Sequence, residues 1–365
     1  MGITKKITLL TFASTLAFAS GLFLRPEAGF IRLPAAIANE QTPEQPQRVF
    51  PQGLGFGLVP PPDMQLSQRF PGFEDEARET AIMMTELPPD LFPSLEKNLR
   101  EPEQEPEGFK LISREAWPVN GGKGVLVVAS QLHEGETIYK WVLLRGTPAS
   151  VAVVTFQISS DARDHYTDDV VRATLRSVGD RDHAQIVADV QTLPFIIDET
   201  LDDATAEDRT GFRIARVIPG NSAMLTDGPK DLVQGAEQPI VLVGGGKAAI
   251  LGRLEQDRFA RQAFSSLSGV RGMQVRRAEG VTRDGVDWHE IEGEGQDAAS
   301  GVKVRVTQAV RFDRSDFIRF VLVARDNAYD DAARFLDRLR DTVAIRTDAA
   351  KDETPTADKP SSEGG

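Results

Sequence analysis

The same order of apolar patterns runs twice along this 365-residue chain, and that repetition is the strongest constraint on what it can fold into. In the first copy a strand start at Gly55-Phe56 leads to a hairpin predicted around Met64 to Leu87. Pro88-Pro89 stops it, because proline removes a ladder donor and restricts the residue before it. Asp90 is expected to cap a short helix, DLFPSLEKNL, whose Leu91, Phe92, Leu95 and Leu99 share a face. Strands follow from Gly108-Phe109 through GVLVVASQL, YKWVLLRG and SVAVVTFQI, the β-branched and aromatic runs of an antiparallel meander. A closing helix is expected from about Asp164 to Val178, with Tyr166, Val170, Val171, Leu175 and Val178 as its apolar stripe.

The second copy repeats this order from Gly211-Phe212 through PIVLVGGG. A helix is expected to begin at Asp257 (DRFARQAFSSL), then strands from Gly272-Met273 through VDWHEIEGEG, VKVRVTQAVRF and DFIRFVLVARD, and a closing helix over about Ala328 to Val343. The glycine that opens the strands lies 56 residues before the closing helix in both copies, Gly108 to Asp164 and Gly272 to Ala328. The fold class this implies is α+β: two tandem α/β/α sandwich domains, each an antiparallel sheet covered by helices. One large antiparallel sheet assembled from both halves is the alternative. Expected boundaries are 1–38 for an export signal or membrane anchor, 39–52 for a polar linker, 53–178 for the first domain and 179–194 for an inter-domain linker. The second domain is expected to cover 195–345, followed by a disordered tail over 346–365.

The N-terminal assignment rests on Lys5-Lys6 followed by 18 uncharged residues, Ile7 to Leu24. That is the basic and apolar layout of an export signal. Small-residue processing sites stand at Ala17-Phe18-Ala19 and Ala36-Ile37-Ala38, while 18 apolar residues also reach the minimum for an uncleaved span. A cleaved signal and an anchor both place the rest of the chain in the periplasm or on the extracytoplasmic face of the membrane; a buried helix is the third reading. With no cysteine, thiol nucleophiles, thiolate metal sites, disulfides and a lipidated cysteine are excluded. The formal charge is -13 overall, and residues 1–38 carry a net +3, which leaves -16 beyond them. A surface of that sign repels nucleic acid and anionic lipid, so expected partners are an envelope protein or a small-molecule ligand, with membrane contact only through the N-terminal segment.

Gly55-Phe56, Pro71-Gly72-Phe73, Glu86-Leu87, the short helix, YKWVLLRG, SVAVVTFQI and the closing helix together resemble the PsbP/Mog1/DcrB-like superfamily. The resemblance covers roughly residues 53–178 and more faintly 195–345. It implies an α/β/α sandwich and a non-catalytic binding or assembly module, as in envelope lipoproteins and photosystem accessory proteins. This chain departs from the lipoprotein members in lacking the lipidated cysteine, and no partner-binding residues carry over.

Candidate chemistry is sparse. VLVGGGKAAILG (Val241 to Gly252) places Lys247 after three glycines, but Ala248 stands where a phosphate-binding loop needs Ser or Thr, so the glycines read as a hairpin turn. His133, His165, His183 and His289 are scattered, and in VDWHEIEGEG alternation sends His289 and Glu290 to opposite faces, which disfavours a metal site formed by that pair. The histidines read as solvent-facing or helix-capping. Glu74-Asp75-Glu76, Asp168-Asp169, Asp202-Asp203 and Asp330-Asp331 lack calcium-loop spacing, and there is no G-x-S-x-G elbow. No catalytic, cofactor-binding or metal-ligating set is assigned. Trp117, Trp141 and Trp288 form the candidate binding face, or else anchor the cores, and the groove between domains is a second candidate. The function expected is a non-enzymatic envelope module. The alternative is an enzyme, such as a hydrolase, with a site assembled from distant residues that could include His289.

Overall fold

Alternating apolar runs broken by Gly, Asn and Pro turns fold as antiparallel ladders, and two such ladders are observed in a computed structural model of the chain. It describes residues 47–100, 108–133, 135–197, 211–233, 235–247, 252–313 and 315–346. The expected export segment, most of the polar linker and nearly all of the tail lie outside them. In the first half the elements are β1 (Phe56–Gly57), β2 (Gln65–Leu66), β3 (Gly72–Asp75), β4 (Thr80–Leu87), α1 (Phe92–Arg100), β5 (Phe109–Trp117), β6 (Lys123–His133), β7 (Glu136–Gly146), β8 (Val151–Ser159), α2 (Asp168–Arg176) and β9 (Gly179–Asp180). The second half has α3 (His183–Gln191), β10 (Phe195–Ile196), β11 (Phe212–Ile218), β12 (Ser222–Asp227), β13 (Ile240–Lys247), α4 (Arg253–Ser265), β14 (Val270–Arg283), β15 (Val286–Asp297), β16 (Lys303–Asp313), β17 (Asp316–Ala324), α5 (Asp326–Thr342) and β18 (Ala344–Ile345).

Each half carries a seven-stranded antiparallel sheet, in the order β2-β3-β4-β8-β7-β6-β5 and β11-β12-β13-β17-β16-β15-β14. Position for position these orders are the same, so the chain consists of two tandem domains, each an antiparallel sheet packed against helices. The repetition extends to a clasp: β1 pairs with β9, and β10 pairs with β18, each closing the start of a domain onto the strand after its last helix.

The cores follow from the alternation. Against α2, the first sheet buries Leu126, Val128, Trp141, Leu143, Val154 and Phe156 with Val171 and Leu175. Phe92, Leu95 and Leu99 on α1, with Leu91 from the turn before it, cover the opposite face over Leu144 and Val151. In the second domain α5 and α3 close one face, where Phe335 stacks on Phe212 at 4.1 Å between centroids. Helix α4 closes the other through Ala260 and Phe264.

Local chemistry moves several boundaries from those expected. The closing helix of the first domain begins at Asp168, because the Thr167 side chain accepts from Val170 N and so caps it. Tyr166 therefore precedes the helix; its hydroxyl donates to the buried Asp75 carboxylate at 2.7 Å. Asp90 does not cap a helix but sits inside the 3₁₀ turn Pro89–Leu91 that leads into α1. Helix α4 starts at Arg253, with Glu255 returning to Gly252 N, so Asp257 is a helix-interior residue and not the first one. Gly244, Gly245 and Gly246 do not turn: they are in β13, opposite Arg319, Ile318 and Phe317 of β17. A Cβ on Gly245 would lie 2.9 Å from the Phe195 ring and 3.0 Å from Pro194, so the bare backbone makes room for the β10 segment.

The domains meet through buried charge. Arg216 Nη1 on β11 lies 2.7 Å from Glu86 Oε2 on β4, with side chains 5% and 3% exposed, and Gly55 N donates to the same oxygen at 2.7 Å. Asp231 N donates to Ala149 O across the seam at 3.0 Å.

Candidate functional site

Period-two alternation decides which side chains of β15 can meet a helix. Trp288 and Glu290 face the α5 side of the sheet: Trp288 packs on Phe320 of β17, and Glu290 accepts from Arg340 of α5. Asp287 and His289 face α4. On that helix Gln256 and Asp257 turn toward the sheet: Gln256 Nε2 donates to Asp287 Oδ2 at 3.3 Å, and His289 Nε2 lies 2.8 Å from Asp257 Oδ1. Gly280, on the edge strand β14, is paired directly opposite His289. Opposed residues project to the same side of a sheet, so the missing side chain of Gly280 leaves a gap in front of the imidazole. An added Cβ would have no heavy atom nearer than 3.9 Å. The gap is a cleft of about 200 Å³ between α4, β14 and β15, with Arg253 at its rim.

The hydrogen bond from His289, aided by one from Arg261, holds the Asp257 carboxyl below the usual carboxylate range against the opposing effect of burial. An ionised Asp257 can only accept, so His289 Nε2 carries the proton toward it. In the neutral imidazole this leaves Nδ1 as an acceptor, buried and with no partner among the described residues. Asp287 Oδ1 accepts from Thr282 Oγ1 at 2.9 Å, and Arg253 Nη2 donates to the same threonine at 2.9 Å. A carboxylate-oriented imidazole also occurs in acyl transfer, but there the other ring nitrogen holds a nucleophile. Here, among the described residues, no hydroxyl is bonded to the second ring nitrogen, and Thr282 Oγ1 is directed at Asp287. Among the described residues no three or more His, Asp or Glu side chains are grouped to hold a metal ion.

The first domain provides an internal comparison. The hairpin row Gly146↔Val151 corresponds to Phe312↔Phe317, each pair enclosing four residues. Two residues inward, Leu144 corresponds to Val310; their partners on the next strand are Val125 and His289, and beyond them Ala116 and Gly280. The first copy thus has an apolar Ala116-Val125-Leu144 row where the second has Gly280-His289-Val310. Beside that apolar row Phe92, Leu95, Leu144 and Val151 form a sealed cluster.

The residues singled out from sequence are distributed differently. Trp141, Trp117 and Trp288 are only 2%, 9% and 7% exposed, so they are core side chains and do not form an exposed face; Trp141 Nε1 donates to Asp168 Oδ1 at 2.8 Å. Amphipathic alternation puts large rings inward when both sheet faces are covered. His289 is neither solvent-facing nor a cap, since it is 2% exposed and bonded to α4. The pairing of Asp257 with His289 across 32 positions left no local signal. Gly280 did leave one, because a glycine inside a long strand marks a bulge or a gap.

No family model matches the chain, and no curated protein matches it. Among solved structures it is similar to a Pseudomonas aeruginosa protein of unknown function, PA94, at 14% identity over 34% of this chain and 83% of that chain, with a TM-score of 0.27. It is also similar to the cyanobacterial PsbP of Synechocystis, at 14% identity over 39% and 90%, TM-score 0.25. A third similarity is to the type VI secretion immunity protein TplEi of Pseudomonas aeruginosa, at 13% identity over 82% and 96%, TM-score 0.22. Scores this low carry no argument about function.

Proposed function

We propose that this protein is a non-enzymatic, extracytoplasmic binding module in which the second domain carries the recognition site and the first is a structural counterpart. The observation that carries this reading is the difference between equivalent rows of two otherwise matching sheets. Where the first domain has Val125 and Leu144 beneath a helix, the second keeps a polar cleft with a buried imidazole. Burying a polar group without a partner costs about 1–3 kcal/mol, and a position that retains such a cost in one copy only is a candidate for binding. The extracytoplasmic placement is supported by Lys5-Lys6 and the uncharged run after them.

The test is an amide-resolved NMR titration of the two-domain chain with a library of small polar fragments. Fragments that bind should perturb Arg253 to Asp257, Ala278 to Val281 and Asp287 to His289. Hits confined to the first domain, or an absence of hits, would remove the cleft from consideration.

A further inference from the structure

We infer that Asn120-Gly121, in the turn between β5 and β6, is a site of spontaneous deamidation, where water converts the Asn120 side chain to a mixture of aspartate and isoaspartate. The inference is independent of the cleft and of the binding reading above.

The reaction needs an asparagine whose carboxamide carbon can be reached by the backbone nitrogen of the next residue. Of the five asparagines, Asn39, Asn98, Asn120, Asn221 and Asn327, only Asn120 is followed by glycine, whose missing Cβ removes the main hindrance to that approach. Asn98 and Asn327 lie within α1 and α5, where helical geometry fixes the following amide. Asn221 is held on both sides, since its N donates to Ile218 O at 3.0 Å and its carbonyl accepts from Gly245 N at 3.2 Å. Asn120 and Gly121 have no such constraint. Both are exposed, Gly121 has a φ of 67°, and a Cβ built on it would meet no heavy atom within 4 Å. Among the described residues Gly121 N has no backbone acceptor, and Gly122 N donates to Val119 O across the turn at a long 3.4 Å. Rotation at Gly121 therefore breaks no ladder bond and meets no side chain.

Gly121 N attacks Asn120 Cγ. The new N–C bond closes a cyclic imide as the bond from Cγ to the amide nitrogen breaks, and that nitrogen leaves as ammonia with the proton from Gly121 N. Water then opens the imide. Opening at Cγ gives aspartate; opening at the main-chain carbonyl gives isoaspartate, with the chain running through the former side chain and one methylene longer. Each route consumes one water, needs no oxidant and adds one negative charge. Nothing regenerates the asparagine, so the product records the age of the chain. The flanks of the turn are fixed: Val119 packs on the first core, and a Cβ on Gly122 would lie 2.0 Å from Gly146 O. The extra methylene is thus taken up at the exposed tip, at the expense of the bond between Gly122 and Val119.

The experiment incubates the folded full chain at physiological temperature and follows its peptides by mass spectrometry. Asn120 should gain about 1 Da, or about 3 Da in water labelled with oxygen-18, as two chromatographically separate products, at a rate that rises with hydroxide concentration. Gly121→Ala should slow the gain at least about tenfold, and Asn120→Gln should remove it; amide spectra of both variants report whether they fold. A rate no faster at Asn120 than at Asn221, an unchanged rate in Gly121→Ala, or aspartate as the sole product overturns the proposal. So does a rate in the folded chain more than about tenfold below that of the free peptide Pro-Val-Asn-Gly-Gly-Lys, because the turn would then be closed to the reaction.

Discussion

Exchanging the residues at one equivalent position should separate a functional histidine from a structural one. His289→Val gives the second domain the residue that the first carries as Val125, and Val125→His makes the reverse change. In His289→Val the buried orphan nitrogen disappears, returning about 1–3 kcal/mol. The bond to Asp257 is lost, but that carboxylate is 38% exposed and keeps Arg261, so water can replace the imidazole at a net cost of about 1 kcal/mol. The lost ring volume opens onto an existing cleft and not a sealed void, which limits the packing cost. The expected balance is a stability within about 1 kcal/mol of the unsubstituted protein. Val125 is 3% exposed in a row with Leu144, so Val125→His buries an unpartnered imidazole and overpacks its surroundings, for a loss of about 3–5 kcal/mol. Two domains need not unfold together, so the readout is native-state hydrogen exchange at β15 for the first variant and β6 for the second. If His289→Val lowers protection by more than about 2 kcal/mol, the histidine is a structural keystone and the reasoning that made the cleft a binding site fails.

Other consequences are independent of the cleft. Glu86→Ala leaves Arg216 buried without its counter-ion and deprives Gly55 N of its acceptor, so it should cost about 3–5 kcal/mol in urea denaturation; additive losses in Glu86→Ala with Arg216→Ala would show that the pair is not coupled. Gly245→Val drives a side chain into Phe195 and should cost about 1–3 kcal/mol, detected as lost exchange protection at Ile196 and Ala344; unchanged protection would refute the account of the glycines. Burial pushes the Asp75 carboxyl up, but hydrogen bonds from Tyr166 and Arg78 outweigh it and hold the group below its usual value. Its stabilising contribution is therefore present above the unfolded carboxylate pKa of about 3.9 and is lost as pH falls through the lower folded value. Tyr166→Phe should lower stability at neutral pH by about 1–3 kcal/mol and flatten the acid limb of the stability profile, so an unchanged limb would count against this pairing.

Much of the architecture was legible because it depends on patterns that repeat locally. Period-two runs such as SVAVVTFQI and the stripes of the closing helices fixed element type, and their matched order fixed the duplication. Side chains that act between elements were hidden. Thr167 shortens a helix by capping it, yet Tyr166 just before it satisfies the same apolar stripe as a helical residue would. The three glycines of β13 look like a turn because the constraint on them, the Phe195 ring, comes from a strand more than forty residues away in sequence. The tryptophans were visible but not their direction, which depends on both faces of each sheet being covered. The site was least legible: His289 was noticed, but its partner is on a helix whose start was misplaced by four residues, from Arg253 to Asp257.

The two copies also differ in where they can afford a polar opening. In the first domain the helix over this face is nine residues long, and the cluster beneath it is small, so one imidazole among Phe92, Leu95, Leu144 and Val151 would disrupt much of what holds α1 down. In the second domain α4 has 13 residues and is tied to the sheet through its C-terminal half. Gln308 Nε2 donates to Ala260 O and Arg319 Nη2 to Ala263 O, while Phe264 packs over Gly293. Burial pushes the Arg319 guanidinium down to about 10, yet the bonds that it and Gln308 donate to the two helix carbonyls, braced by Arg319 Nε donating to Gln308 Oε1, secure the C-terminal half of α4. That anchoring frees the N-terminal turn, with Arg253, Gln256 and Asp257, from having to seal an apolar row. The longer helix and its buried polar ties are thus what permit a cleft at His289. On this argument, loosening those ties by Gln308→Ala should disturb the cleft through α4, whereas filling the cleft at Gly280 should leave the ties intact.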